Sequence, residues 1–193
     1  TLSQFGEVRA RKADDMHAQQ RTAHTLGNLV VVIDSAADLP ADALETLPIH
    51  VVPVRITVGA EDYLDKVSLS AGAFYELLRS SEQVVKTSQP PAGDFRRLFG
   101  FLLSHHEAVL YLGVSRAISG TLQAGESASA GYGSKVRVVD SGNVSGGQGL
   151  LAMHAAERAL AGAGADDVAL EIEKLREQTS TFALLPDLRS AVR

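Results

Sequence analysis

The sequence contains no cysteine and no tryptophan. Without thiols there are no disulfides, no thiolate metal sites and no cysteine nucleophile. That composition fits a reducing compartment, and a cytoplasmic location is expected. Cations are not in excess: 18 Lys and Arg stand against 23 Asp and Glu, a net charge of −5. No dense Lys/Arg patch occurs, so a nucleic-acid partner has no electrostatic support. No apolar run is long enough for a transmembrane helix. The stretch Thr1–Thr22 has no apolar segment of the signal-peptide kind. There is no repeat of solenoid period, no Walker-type glycine loop and no His/Glu metal spacing. No metal or cofactor is therefore expected.

What remains is an ordinary globular composition over 193 residues, 45% apolar and 21% charged. Residues 1–28 are polar and mixed in charge, and read as a linker or the tail of an upstream domain. The chain opens on Thr1 and stops at Arg193 inside a plausible element, so a fragment of a longer protein is expected. Residues 29–185 read as one α/β lobe. Its first strand is the β-branched run Leu29–Ile33, apolar on both faces as a covered parallel strand requires. A short helix is expected over 41–47, followed by one long strand over 49–58. Pro53 lacks a donor, so that strand should lie at an edge or bulge there. Residues 61–66 read as a turn or short extended piece, and 71–80 as a helix with Phe74, Leu77 and Leu78 inward.

Residues 86–93 read as a loop. Further helices are expected over 94–106, 119–130, 147–161 and 166–178, and strands over 108–114, 135–139 and 182–185. Strands alternating with helices indicate an α/β fold with a mostly parallel sheet flanked by helices.

The polar residues gather at strand ends. Val31-Val32-Ile33 runs into Asp34-Ser35, Val138-Val139 into Asp140-Ser141, and Leu110-Tyr111-Leu112 reaches Ser115 through Gly113-Val114. Open α/β sheets bind ligands beyond the carboxyl ends of their strands. Asp34 and Asp140 fit helix capping equally well. Thr87-Ser88-Gln89-Pro90-Pro91 sets two hydroxyls and an amide in a proline-stiffened segment. The segment from Ser115 through Arg116 to Ser119-Gly120-Thr121 leads into a helix N-terminus, which favours an anion. No histidine lies near either stretch, so a Ser–His–Asp nucleophile is poorly supported. His154 reads as a core or helix-surface residue. The glycines of Ser145-Gly146-Gly147-Gln148-Gly149 read as a close-packing device.

These segments, in this order, resemble the DegV family. They are Val32–Pro40, Val51–Val54, Tyr63-Leu64-Asp65, Phe74-Tyr75 and Lys86–Pro91 with Phe95. Ile118–Thr121 follows, and then Val139-Asp140-Ser141 with Ser145–Gly149. The resemblance implies the first lobe of a two-lobed protein that buries a long-chain fatty acid, with no chemistry of its own. It also implies a fatty-acid kinase subunit of the dihydroxyacetone-kinase type as partner. Thr87 and Ser115 would donate to the carboxylate, with Ser88, Ser119, Gly120 and Thr121 beside them. Asp34, Ser35, Asp140 and Ser141 would support the site. Arg116 stands where the family usually has a second Ser, Pro91 where it commonly has Ser, and Ala36 where it commonly has Thr. Arg116 is then either a cationic ligand or a solvent-facing residue. Residues 186–193 would begin the crossing to a missing second lobe. The polar N-terminal stretch resembles the connection in a fusion to a dihydroxyacetone-kinase-like domain. Two other readings compete. One is a phosphotransferase or hydrolase using Asp34 or Asp140. The other is a structural or regulatory domain of a kinase-like fusion.

Overall fold

A computed structural model describes residues 28–80 and 83–184 of the chain. In chain order the elements are β1 (Leu29–Asp34), α1 (Ala43–Thr46), β2 (Ile49–Val52), β3 (Arg55–Val58), β4 (Glu61–Leu64), α2 (Ala71–Ser80) and β5 (Val85–Ser88). They continue with α3 (Ala92–Leu103), β6 (Ala108–Gly113), α4 (Thr121–Ser129), β7 (Val136–Asp140), α5 (Ser145–Leu160) and α6 (Ala165–Leu175). All six residues of β1 are buried, as an apolar run covered on both faces must be. Leu29, Val31 and Ile33 pack with Leu110, Leu112 and the inner faces of α5 and α6. Val30 and Val32 point the other way, onto Phe95, Phe99, Tyr111 and Leu122 between the sheet, α3 and α4. The result is a four-stranded parallel sheet in the order β2-β1-β6-β7 with helices on both faces.

The expected strand over 49–58 is two strands. β2 is the edge of the parallel sheet, and β3 belongs to a separate antiparallel sheet of order β4-β3-β5. The division falls at Pro53, which has no N–H for a ladder. Val54 donates instead to Ser35 Oγ at 2.9 Å, and Ser35 N–H to Val52 O at 3.0 Å. The expected loop over 86–93 likewise opens as strand β5. Val85–Ser88 pairs with Val58–Arg55, and Pro90-Pro91 then ends the ladder before α3. The 61–66 segment supplies β4.

Helix α2 has the expected bounds, with Phe74 and Leu77 half-buried against Ile56, Val58 and Leu69, but Leu78 is exposed. The expected strand over 182–185 does not form in residues 182–184, where Phe182 and Leu184 are 92% and 97% exposed. Thr181 Oγ1 binds Asn143 Oδ1 and Val144 O, both at 3.1 Å, which holds this segment at the entrance to α5 rather than alongside β7. Residues 1–27 and 185–193, which carry most of the expected linker and all of the expected crossing, lie outside the described residues.

From β1 the chain runs outward to β2, then crosses back to β6 and on to β7. The switch point therefore lies between β1 and β6. Asp34 ends β1 there, fully buried. Its Oδ2 accepts from Val114 N–H at 2.8 Å and from the Tyr111 hydroxyl at 3.0 Å, and its Oδ1 accepts from Ala36 N–H at 3.2 Å. Burial pushes the carboxyl above the usual carboxylate range; hydrogen bonds from Val114, Tyr111, Gln148 and Ala36 oppose that shift. Burial, and then the Asp34 charge, push the Tyr111 phenol well above its usual range, so it remains a donor. Its ring packs between Phe95 and Phe99, at centroid distances of 4.9 and 6.2 Å.

Replacing Asp34 by Ala leaves a buried amide and a buried phenol without their acceptor. We expect a loss of about 3 kcal/mol or more. Tyr111→Phe removes one donor and should cost about 1–2 kcal/mol. Urea unfolding measures both. Because the folded-state pKa of Asp34 is raised, its protonated form favours the fold. This contribution is complete below the unfolded-state pKa and is lost as pH rises through the folded value. The stability of wild type relative to Asp34→Asn should therefore fall with rising pH in the acid range and then level off; a rise would contradict it.

Candidate functional site

The carboxyl ends of β1, β6 and β7 form the floor of the candidate site. Asp34 and Ser35 are buried there and their side chains are engaged by the protein itself, as described above. Ser141 is fully buried; its Oγ donates to Asn143 O at 3.0 Å and accepts from Asn143 N–H at 3.1 Å. Asp140 Oδ1 accepts from Gly142 N–H at 2.9 Å and from Arg116 N–H at 3.3 Å. These four residues shape the backbone turns above the sheet, the role that loop-capping side chains take. A substrate could reach the Asp34 carboxylate only by displacing Tyr111 and Val114.

The turn after β6 is the first wall. Ser115 is buried and donates its N–H to Asn143 O at 2.9 Å. Its carbonyl accepts from Ile118 and Ser119 N–H at 3.1 and 3.2 Å, and its Oγ accepts from Ala117 N–H at 3.3 Å. The chain is thereby curled into a tight turn ahead of α4. Ser119 Oγ accepts from Thr121 N–H at 3.2 Å and donates to Thr121 Oγ1 at 3.0 Å. Two hydroxyls thus meet at the first turn of α4, where backbone N–H groups lack helical acceptors and the dipole favours negative charge.

The second wall is the end of β5. Thr87 and Ser88 are exposed and held in register opposite Ile56 and Arg55. Arg55 also pairs with Asp94 of α3 at 3.3 Å, which fixes the small sheet against the start of that helix. Gln89, next in the chain, lays its amide oxygen against the Cα of Gly120. A Cβ at position 120 would collide with it. This contact brings the Thr87–Gln89 segment to the Ser119–Thr121 turn, joining two stretches 30 residues apart in sequence. Any larger residue at 120 would push the Gln89 side chain off this position.

Arg116 projects from the same turn, more than half exposed. Its guanidinium is paired with Glu126 and lies 3.9 Å from Asp140. His105 and His106 precede β6, at the opposite end of the sheet from the turn. His154 pairs with Glu171 at 3.2 Å between α5 and α6. Among the described residues no group of three or more His, Cys, Asp or Glu is arranged to hold a metal ion. No described helix is long and apolar enough to cross a membrane.

Sequence reading missed Gln89 as the link between the walls, Tyr111 and Gln148 as partners of Asp34, and Asn143 as the anchor of the turn. Asn143 joins Ser115, Ser141, Thr179 and Thr181 through side-chain and main-chain hydrogen bonds. Only the Asn-Val spacing after Asp140-Ser141-Gly142 hinted at such a turn. Of the glycines at the start of α5, Gly147 and Gly149 serve close packing, whereas a Cβ at Gly146 would meet nothing. A Cβ at Gly149 would strike the main-chain oxygen of Asp38.

A family model described as an uncharacterised protein family, DegV, matches residues 28–193. A DegV domain-containing protein of Listeria monocytogenes is 33% identical over 169 residues, covering 86% of this chain and 59% of its own. Two solved structures resemble the lobe. A fatty-acid-binding DegV family protein from Thermus thermophilus has a TM-score of 0.72 at 31% identity. DegV of Bacillus subtilis, a fatty acid binding protein, has a TM-score of 0.73 at 30% identity. Each covers 78% of this chain and is itself covered over 54% of its length. The chain thus spans little more than half the length of the relatives it matches. By sequence and by fold, it belongs to the DegV family.

Proposed function

We propose that the protein is a non-catalytic carrier that binds a long-chain fatty acid, with the carboxylate lodged between the Thr87–Gln89 segment and the Ser115–Thr121 turn. The observation that carries this reading is the Gln89–Gly120 contact. It brings the segment that carries Thr87 and Ser88 up to the turn that carries Ser119 and Thr121, ahead of α4. Thr87 and Ser115 are the assigned donors to the carboxylate; Ser88, Ser119, Gly120 and Thr121 complete the cradle. Such a set suits an anion that is to be held unchanged, because it supplies donors without a general base. The binding of fatty acids by the Thermus and Bacillus proteins supports the choice of ligand.

The head group sets orientation and the tail sets affinity. Each charge-assisted hydrogen bond contributes about 1.5–3 kcal/mol. Each buried methylene adds about 0.8 kcal/mol. We assign the remaining wall of the tail site to a second lobe of the complete protein. We further propose that this cytoplasmic carrier presents the carboxylate to a fatty-acid kinase of the dihydroxyacetone-kinase type. That kinase would be a separate subunit or a domain fused through the polar stretch of residues 1–28.

Thr87→Val keeps shape and β propensity while removing the hydroxyl. In the complete protein it should weaken fatty-acid binding roughly tenfold to a hundredfold by titration calorimetry, the equivalent of one such hydrogen bond. Unchanged affinity would remove Thr87 from the site. The protein without its kinase subunit or domain should form no acyl phosphate from ATP until that kinase is supplied. Acyl phosphate formed by the isolated 193-residue chain would contradict the carrier reading.

A further inference from the structure

The segment that forms the first wall contains one cation, Arg116, flanked by residues assigned to the head group. A guanidinium is the strongest carboxylate receptor among side chains because its parallel N–H bonds match both carboxylate oxygens. Its fork is already occupied. Arg116 Nη1 donates to Glu126 Oε2 at 3.1 Å, and Nη2 donates to Glu126 Oε1. Nε faces Asp140 Oδ2 at 3.9 Å, while the Arg116 main-chain N–H is fixed to Asp140 Oδ1 at 3.3 Å. The partners come from different elements, α4 and the end of β7, so the guanidinium is held from two sides. Glu126 lies in the interior of α4, 6 residues beyond Gly120, which is itself seated by Gln89. Its backbone position is set by α4, whose Leu122, Ala124 and Ala128 are packed into the core. A bidentate fork turned to one carboxylate cannot present the same two N–H groups to another.

Resting on the fatty-acid reading, we infer that Glu126, assisted by Asp140, is a specificity-determining residue that holds the Arg116 guanidinium off the head-group position. The cradle then binds through neutral donors alone. Neutral donors and the helix dipole already favour a carboxylate over a hydroxyl head group, because bonds to the charged oxygens are charge-assisted, but the preference for a fatty acid over the fatty alcohol of equal length lacks the increment a guanidinium would add. Removing Glu126 frees the fork and turns the site toward the charged head group. Asp140 is retained in that variant because its carboxylate also orders the Gly142 turn.

The test compares palmitic acid with hexadecanol in the complete protein, by competition against one fluorescent fatty acid. Glu126→Ala should raise the acid-over-alcohol affinity ratio by roughly tenfold, the size of one charge-assisted interaction. The gain should shrink with added salt. Arg116→Ser alone should leave the ratio within about twofold of wild type, below the size of one such interaction. The double variant should lose the gain. Both positions are solvent-accessible, and Ala suits the helix interior. A ratio that drops in Arg116→Ser would overturn the inference, since the guanidinium would already touch the ligand. A ratio unmoved in Glu126→Ala would overturn it too. A wild-type protein that binds neither lipid would instead refute the fatty-acid reading itself.

Discussion

A single buried carboxylate holds the working end of this lobe together. Asp34 sits where neighbouring parallel strands leave in opposite directions, a place where main-chain groups of β6 lose their strand partners. It satisfies Val114 N–H, orients Tyr111 and fixes the Ala36 turn. Gln148 of α5 closes the same region by donating to Leu112 O at 3.2 Å. The turn that begins at Ser115 starts one residue beyond Val114, so its direction is inherited from this clamp. A carboxylate this enclosed is suited to architecture rather than to turnover, because any reaction at it would first have to undo the packing that holds it.

The walls above the clamp obey a different economy. Ser115, Ser119 and Thr121 are tied to one another and to main chain, which leaves little rotamer freedom to lose when a ligand arrives. Thr87 and Ser88 are exposed but held by a strand ladder. A preorganised cradle of neutral donors can hold an anion without altering it. The same hydroxyls beside a histidine would have suggested a nucleophile, and His105 and His106, which precede β6, lie at the far end of the sheet.

The parallel sheet was legible because β1 and β6 are continuous apolar runs bounded by turn residues, and burial on both faces admits little else. Helices α3 and α6 were legible as elements, and the structure buries Phe95, Phe99 and Leu102 of the one and Val168 and Ile172 of the other. The antiparallel sheet was not. Its strands are four residues long and mostly polar, and pairing rather than burial defines them. Pro53 signalled a disturbance, but not that the chain would leave one sheet for another there. Phe182 and Leu184 have strand-like composition yet find no pairing edge among the described residues. At the site, the individual hydroxyls could be named from sequence. The contact that joins them could not, because Gln89 and Gly120 meet only after α3, β6 and the Ser115 turn are in place.

The central claim is that these walls hold the carboxylate of a fatty acid. Native mass spectrometry of the complete protein, purified from cells without added lipid, measures this directly. One bound species is expected, with a mass that denaturing extraction assigns to a long-chain fatty acid, and Thr87→Val should reduce its occupancy. Protein that emerges without lipid, and stays so after incubation with palmitic acid, would contradict the claim.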